Sequence, residues 1–109
     1  MNTFYAVLPK GVENEEMLFD ALSNELKFPD YFTPNWNAVY DCMCDFHWII
    51  ENKIKLVHQE LPNINSEALK VYLQVLSDAV NSWTSSPGEH IFEVVFCEED
   101  EKILKNLFR

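Results

Sequence analysis

The sequence has 109 residues, which is enough for one domain with one hydrophobic core and too few for two. An apolar fraction of 48%, with eight Phe, three Trp and four Tyr, excludes a disordered chain, and two glycines are too few for a glycine-rich phosphate loop. Eighteen acidic residues against eight basic ones give a formal net charge of −10, which has the wrong sign for a nucleic-acid-binding protein and favours a basic partner.

The N-terminal part of the chain predicts a strand followed by a helix. Residues 3–8 form a short apolar run that ends at a Pro-Lys-Gly turn, as is typical of a buried strand. Asn14 is placed to cap a helix whose apolar residues recur at helical spacing as far as Leu26. Pro29 ends this helix, because the residue before a proline is disfavoured in the α conformation.

A second helix is predicted over about residues 35–46, with Thr33 as its cap and Pro34 at its first position. One face of this helix has the spacing of a core face and carries Trp36, Val39, Met43 and Phe46. Another face carries Asn37, Tyr40, Asp41 and Cys44. Polar groups together with a tyrosine and a thiol suit a recognition surface better than a plain solvated face.

The second half of the chain begins with a strand and a long helix. Residues 53–58 alternate between apolar and polar types, which predicts a strand. Asn65 or Ser66 can cap a helix whose apolar residues recur at helical spacing from Leu69 to Trp83.

The remaining segments complete an α/β fold. Residues 85–88 (SSPG) predict a turn, residues 90–97 a third strand, and residues 98–109 an acidic C-terminal extension with a short helix. Helices between successive strands imply parallel pairing. We therefore expect one domain over residues 1–109, with a small three-stranded parallel sheet packed against about four helices.

The cysteines indicate a reducing compartment. Their number is odd (Cys42, Cys44 and Cys97), and the sequence has neither a signal-like leader nor a membrane-length apolar run. Free thiols are typical of such compartments, so we expect a cytoplasmic location.

Neither a metal site nor a catalytic site is expected. Cys42 and Cys44 are two residues apart on a helix and point to different faces, so they cannot both ligate one metal ion. A Cys44–His47 nucleophilic pair is disfavoured because Asp41 and Asp45 flank the thiol and oppose its ionisation. The remaining carboxylate pairs lie in runs rather than across a cleft, so acid–base catalysis is not indicated. No cofactor is predicted.

The loop between the two predicted helices of the first half carries a specific pattern. A helix ends in residues 26–32 (LKFPDYF), two loop residues follow, and then come Asn35 and a helix bearing Tyr40 and Asp41. This pattern resembles the barstar family of intracellular ribonuclease inhibitors, and a weaker match covers residues 71–79.

The resemblance implies a barstar-like fold and a mechanism. In the family, the loop and second helix enter the ribonuclease cleft, where Asp41 would take the place of a substrate phosphate and Tyr31 would pack over the catalytic histidine. The partner would be a ribonuclease toxin bound one to one, with no nucleic acid and no membrane involved. The contact positions implied are Tyr31, Asn35, Asn37, Tyr40, Asp41, Cys44, Phe46 and Asp78.

Several positions depart from the family pattern. Asn37 replaces an acid, Tyr40 and Phe46 replace tryptophans, and Asp78 replaces a glutamate. The extension from Glu98 has no counterpart in the family pattern. These differences favour a cognate toxin other than barnase, such as one delivered between competing bacteria.

Two alternatives to an inhibitor remain open. The first is an interaction module of the same fold whose partner is not a nuclease. The second is an acidic nucleic-acid mimic, whose binding would depend on many scattered carboxylates rather than on Tyr31 and Asp41.

Overall fold

The computed structural model describes residues 2–85, 88 and 90–107. In chain order the described elements are β1 (Thr3–Leu8), α1 (Glu15–Glu25), α2 (Trp36–Met43), β2 (Lys53–His58), α3 (Ser66–Ser85), β3 (Ile91–Val95) and α4 (Glu98–Leu107). The strands form one parallel sheet in the order β1-β2-β3, so the predicted fold class is confirmed. The predicted turn at residues 85–88 includes Ser86 and Pro87, which lie outside the described residues. No described helix is long and apolar enough to cross a membrane.

The sheet buries alternate residues of its central strand. In β2, Ile54, Leu56 and His58 are buried, whereas the residues between them are half-buried. Because neighbouring residues of a strand point to opposite faces, this alternation means that one face carries the core and the other is partly open. On the open face, Glu93 of β3 forms ion pairs with Lys53 and Lys55, at N–O distances of 3.1 and 3.5 Å.

The end of α1 sets the direction of the loop that follows. The Asn14 side chain caps α1 by accepting a hydrogen bond of 2.8 Å from the Met17 amide. At the other end, Lys27 adopts the left-handed conformation (φ 58°), and the Phe28 amide donates to the carbonyl of Ser23 at 3.0 Å. This is the Schellman arrangement, which ends a helix by reversing the chain, and the loop at residues 29–34 follows from it.

Helix α2 is held against α3 at both of its ends. At its start, the Trp36 ring lies 5.8 Å from that of Tyr72, centroid to centroid. At its end, Trp83 Nε1 donates a hydrogen bond of 2.7 Å to the carbonyl of Met43. A short helix fixed in this way presents its outer side chains in a defined arrangement.

The predicted boundaries of α2 are wrong at both ends. Asn35, rather than Thr33, is the cap, because its Oδ1 accepts a hydrogen bond of 2.8 Å from the Ala38 amide. The helix ends at Met43 rather than at Phe46, whose backbone is left-handed (φ 49°). This reversal places the Phe46 side chain in the core, fully buried.

His58 lies at the end of β2 in a closed polar arrangement. Its Nδ1 lies 3.0 Å from the carbonyl oxygen of Val95, which can only accept, so Nδ1 carries the proton. Nε2 then accepts a hydrogen bond of 2.6 Å from the hydroxyl of Tyr72. Burial lowers the pKa of His58 to about 4. The hydrogen bond to Val95 and the charge of Asp100 act in the opposite direction but are weaker than the effect of burial.

Acid is expected to destabilise the fold through His58. In the unfolded chain this histidine takes up a proton near its ordinary pKa of 6.5, whereas the folded protein resists protonation down to about pH 4. The contribution of neutral His58 to the unfolding free energy is therefore fully present above pH 6.5. It is lost as the pH falls towards 4, and the total loss is about 3 kcal/mol.

Urea unfolding at several pH values between 4 and 7 measures this dependence. His58→Gln should flatten the slope of unfolding free energy against pH, by at most about 1.4 kcal/mol per pH unit. Ile50→Ala, at an exposed residue without a titratable group, is the control and should retain the wild-type slope. Equal slopes for wild type and His58→Gln would contradict the assignment.

Candidate protein-binding surface

The outer side of α2 carries the polar residues expected from their spacing. Asn37, Tyr40 and Asp41 are exposed, and Cys44, which follows the last helical residue, is half-buried. Together with Tyr31, Asn35 and Asp78, which are also exposed, we call these residues the acidic face.

Tyr40 connects the parts of the acidic face contributed by α2 and α3. Its hydrogen bond with the Cys44 side chain is the main cause that raises the pKa of Tyr40, and the charges of Asp78 and Asp41 raise it further. Asp78 is itself oriented by Gln74, whose Nε2 donates to Asp78 Oδ1 at 2.8 Å. The fold therefore brings Tyr40, Asp41 and Asp78 together from two helices.

Asn35 supports the acidic face through its capping bonds. Its Oδ1 accepts from the Ala38 amide, and its Nδ2 donates to Thr33 Oγ1 at 3.1 Å. Because both side-chain polar atoms already have partners within the chain, the main role of this side chain here is to fix the start of α2.

Tyr31 projects from the loop before α2, with 63% of its surface exposed. Its hydroxyl donates a long hydrogen bond of 3.4 Å to Asp45 Oδ2. Desolvation is the main cause that raises the pKa of Tyr31, with further contributions from the charge of Asp45 and from the Asp45 hydrogen bond. An exposed aromatic ring beside a carboxylate has the composition of a protein-binding surface.

The structure places Phe46, which the sequence assigned to the contact positions, in the core instead. The ring is fully buried, with its centroid 5.1 Å from that of Phe92 and 6.2 Å from that of Trp83. The left-handed backbone at this position turns the ring inward, so the side chain is not on the surface and does not belong to the acidic face.

Asp45 and His47 lie beside the acidic face, although the sequence did not assign them to it. His47 Nδ1 lies 2.9 Å from Asp45 Oδ2, the oxygen that also faces Tyr31. The available signal was the position of Asp45, four residues after Asp41, but this spacing alone does not reveal contacts with Tyr31 and His47.

The buried thiol of Cys42, beside the acidic face, is poorly suited to nucleophilic chemistry. Burial, helped by the charges of Asp45 and Asp41, raises the pKa of Cys42 to about 11, so it is protonated at neutral pH. Among the described residues, no group of three His, Cys, Asp or Glu side chains is placed to hold a metal ion.

The negative charge of the acidic face is not neutralised within the described part of the chain. No described lysine or arginine lies within ion-pair distance of Asp41 or Asp78, whereas Glu93 forms ion pairs with two lysines on the sheet. Unpaired carboxylates on a rigid helix suit a partner that supplies the cations.

A comparison with models of known protein families identifies the family of this chain. The family model described as Barstar (barnase inhibitor) matches residues 2–97. This range contains all three described strands, α1 to α3 and the whole acidic face, and it ends one residue before α4 begins. A comparison with curated proteins found no match.

Proposed function

We propose, since the chain belongs to the barstar family, that it inhibits one particular ribonuclease toxin by filling the active-site cleft of that toxin with the acidic face. The family is one of ribonuclease inhibitors rather than of enzymes. The observation that carries the proposal is the exposed Asp41, which has no cationic partner among the described residues and lies on a helix fixed at both ends.

The chemistry of the partner explains why a carboxylate is suitable. A ribonuclease must present cationic groups to the phosphate of its RNA substrate. A carboxylate held at the position of the phosphate forms charge-assisted hydrogen bonds with those cationic groups. Such bonds are stronger than hydrogen bonds between neutral groups. We propose that Asp41 fills the phosphate position and that Tyr31 packs against the catalytic histidine of the toxin.

The rigidity of the acidic face supports tight binding. Trp36 and Met43 fix α2 against α3, and Gln74 orients Asp78. Because these side chains are ordered before the partner arrives, little conformational entropy is lost on association. The residues that depart from the family pattern, Asn37, Tyr40 and Asp78, favour a toxin other than barnase.

The setting we propose is cytoplasmic, with one inhibitor molecule bound to one toxin molecule. The three free cysteines are compatible with a reducing compartment. A net charge of −10 would accelerate the encounter with a basic ribonuclease at low salt.

The proposal is tested by an RNA-cleavage assay. A panel of purified microbial ribonucleases of the barnase type, including barnase, is titrated with the protein while cleavage of a fluorogenic RNA is followed. We expect one ribonuclease to lose its activity at a one-to-one ratio and barnase to be inhibited more weakly. If no member of the panel were inhibited by micromolar protein, the proposal would fail in favour of a module with a non-nuclease partner.

A further inference from the structure

One carboxylate beside the acidic face has a distinctive arrangement of partners. Asp45 Oδ2 accepts from the Tyr31 hydroxyl at 3.4 Å and lies 2.9 Å from His47 Nδ1. We infer that Tyr31, Asp45 and His47, which we call the rim cluster, select ribonucleases that carry an arginine or lysine at the edge of the cleft. This inference rests on the proposed function and adds Asp45 as a determinant of specificity.

The bonding of Asp45 leaves one oxygen available to a partner. Both contacts within the cluster are made to Oδ2, and no described residue bonds Oδ1. The side chain is 43% exposed, and that of His47 is 61% exposed. A carboxylate that is oriented through one oxygen and accessible can accept a charge-assisted hydrogen bond from a guanidinium or ammonium group.

The backbone under the rim cluster is fixed by Phe46, which lies between Asp45 and His47 in the sequence. Its ring is fully buried, while the side chains on either side of it are exposed. The amides of Asp45 and Phe46 both donate to the carbonyl of Cys42, at 3.1 and 3.2 Å. The rim cluster is therefore preorganised rather than part of a loosely held loop.

The rim cluster is continuous with the acidic face. Tyr31 belongs to both, and the charges of Asp45 and Asp41 both act on Cys42 between them. A cation of the partner placed near Asp45 would thus lie close to those that meet Asp41. The negative potential of this end of α2 favours a cationic partner over a neutral or acidic one.

The test uses Asp45→Asn, which removes the charge but keeps an oxygen that can accept from Tyr31. The probe is the ribonuclease that the wild-type protein inhibits most strongly in the panel. We expect the Kd for that ribonuclease to rise at least ten-fold. The ratio of the Kd for barnase to the Kd for that ribonuclease should fall. Asp20→Asn, at an exposed residue of α1, is the matched control and should change the Kd less than two-fold.

Each result has a distinct meaning. If Asp45→Asn binds as tightly as Asp20→Asn while Asp41→Ala binds weakly, the rim inference is wrong and the proposed function stands. If the wild-type protein inhibits no ribonuclease, the proposed function fails and the rim inference fails with it. If Asp45→Asn weakens binding and a neutral substitution of one arginine or lysine of the ribonuclease abolishes the difference between wild type and variant, the inference is confirmed.

Discussion

Replacing Asp41 with alanine is expected to weaken binding to the inhibited ribonuclease by about 100-fold or more. In the complex this carboxylate would lose its contact with water and would face the cationic groups with which the ribonuclease normally binds phosphate. Removing one partner of a buried charge pair costs about 2–5 kcal/mol, because the other charges stay buried without a counterpart. Isothermal titration calorimetry with the purified ribonuclease measures the loss directly.

The fold of the Asp41→Ala protein should be unaffected. Asp41 is exposed and has no ion pair with a described residue, so surface truncation should change the unfolding free energy by less than about 0.5 kcal/mol. Asp20→Ala is the matched control, since it removes an exposed carboxylate from α1. Equal Kd values for the two variants would mean that the inhibitory surface does not depend on Asp41.

Replacing Phe46 with alanine is expected to lower the unfolding free energy by about 3–5 kcal/mol. The ring is fully buried, and Trp48, Trp83 and Phe92 lie within 6.2 Å of it, centroid to centroid. Truncation would remove the transfer free energy of the ring and leave a cavity that these large neighbours cannot readily fill. The loss would be a large fraction of the stability that is typical of folded proteins.

Equilibrium unfolding in urea, followed by tryptophan fluorescence and circular dichroism, measures this effect. Ile50→Ala is the control, because Ile50 is 91% exposed and its truncation should change the unfolding free energy by less than about 0.5 kcal/mol. A loss below 1 kcal/mol for Phe46→Ala would show that the side chain does not belong to the core.

The elements with regular apolar spacing could be predicted from the sequence, but the end of α2 could not. Asn14 caps α1 as expected, and Asn65, one of the two residues predicted as possible caps, caps α3; each accepts a bond from an amide three residues later. Phe46 continues the helical spacing of the core face of α2, and no glycine or proline marks the end of that helix. A left-handed phenylalanine has no sequence signal, because this conformation is typical of glycine.

The acidic face was predictable where it lies on one element, and less so where elements meet. Asn37, Tyr40 and Asp41 follow from the spacing of α2. In contrast, Asp78 was assigned through the family resemblance alone. The bonds of Asp45 to Tyr31 and His47 depend on how the loop and the end of α2 fold back on each other, which periodicity does not describe.

The most direct test of the central claim is a competition for the active-site cleft. The inhibited ribonuclease is titrated with the protein in the absence and presence of a nucleoside 3′-monophosphate that binds the phosphate site. If the acidic face fills the cleft, the apparent Kd should rise in proportion to nucleotide concentration, by about 100-fold when the nucleotide is at 100 times its own Kd. An apparent Kd that does not change with saturating nucleotide would contradict the account, because the protein would then bind the ribonuclease outside its active site.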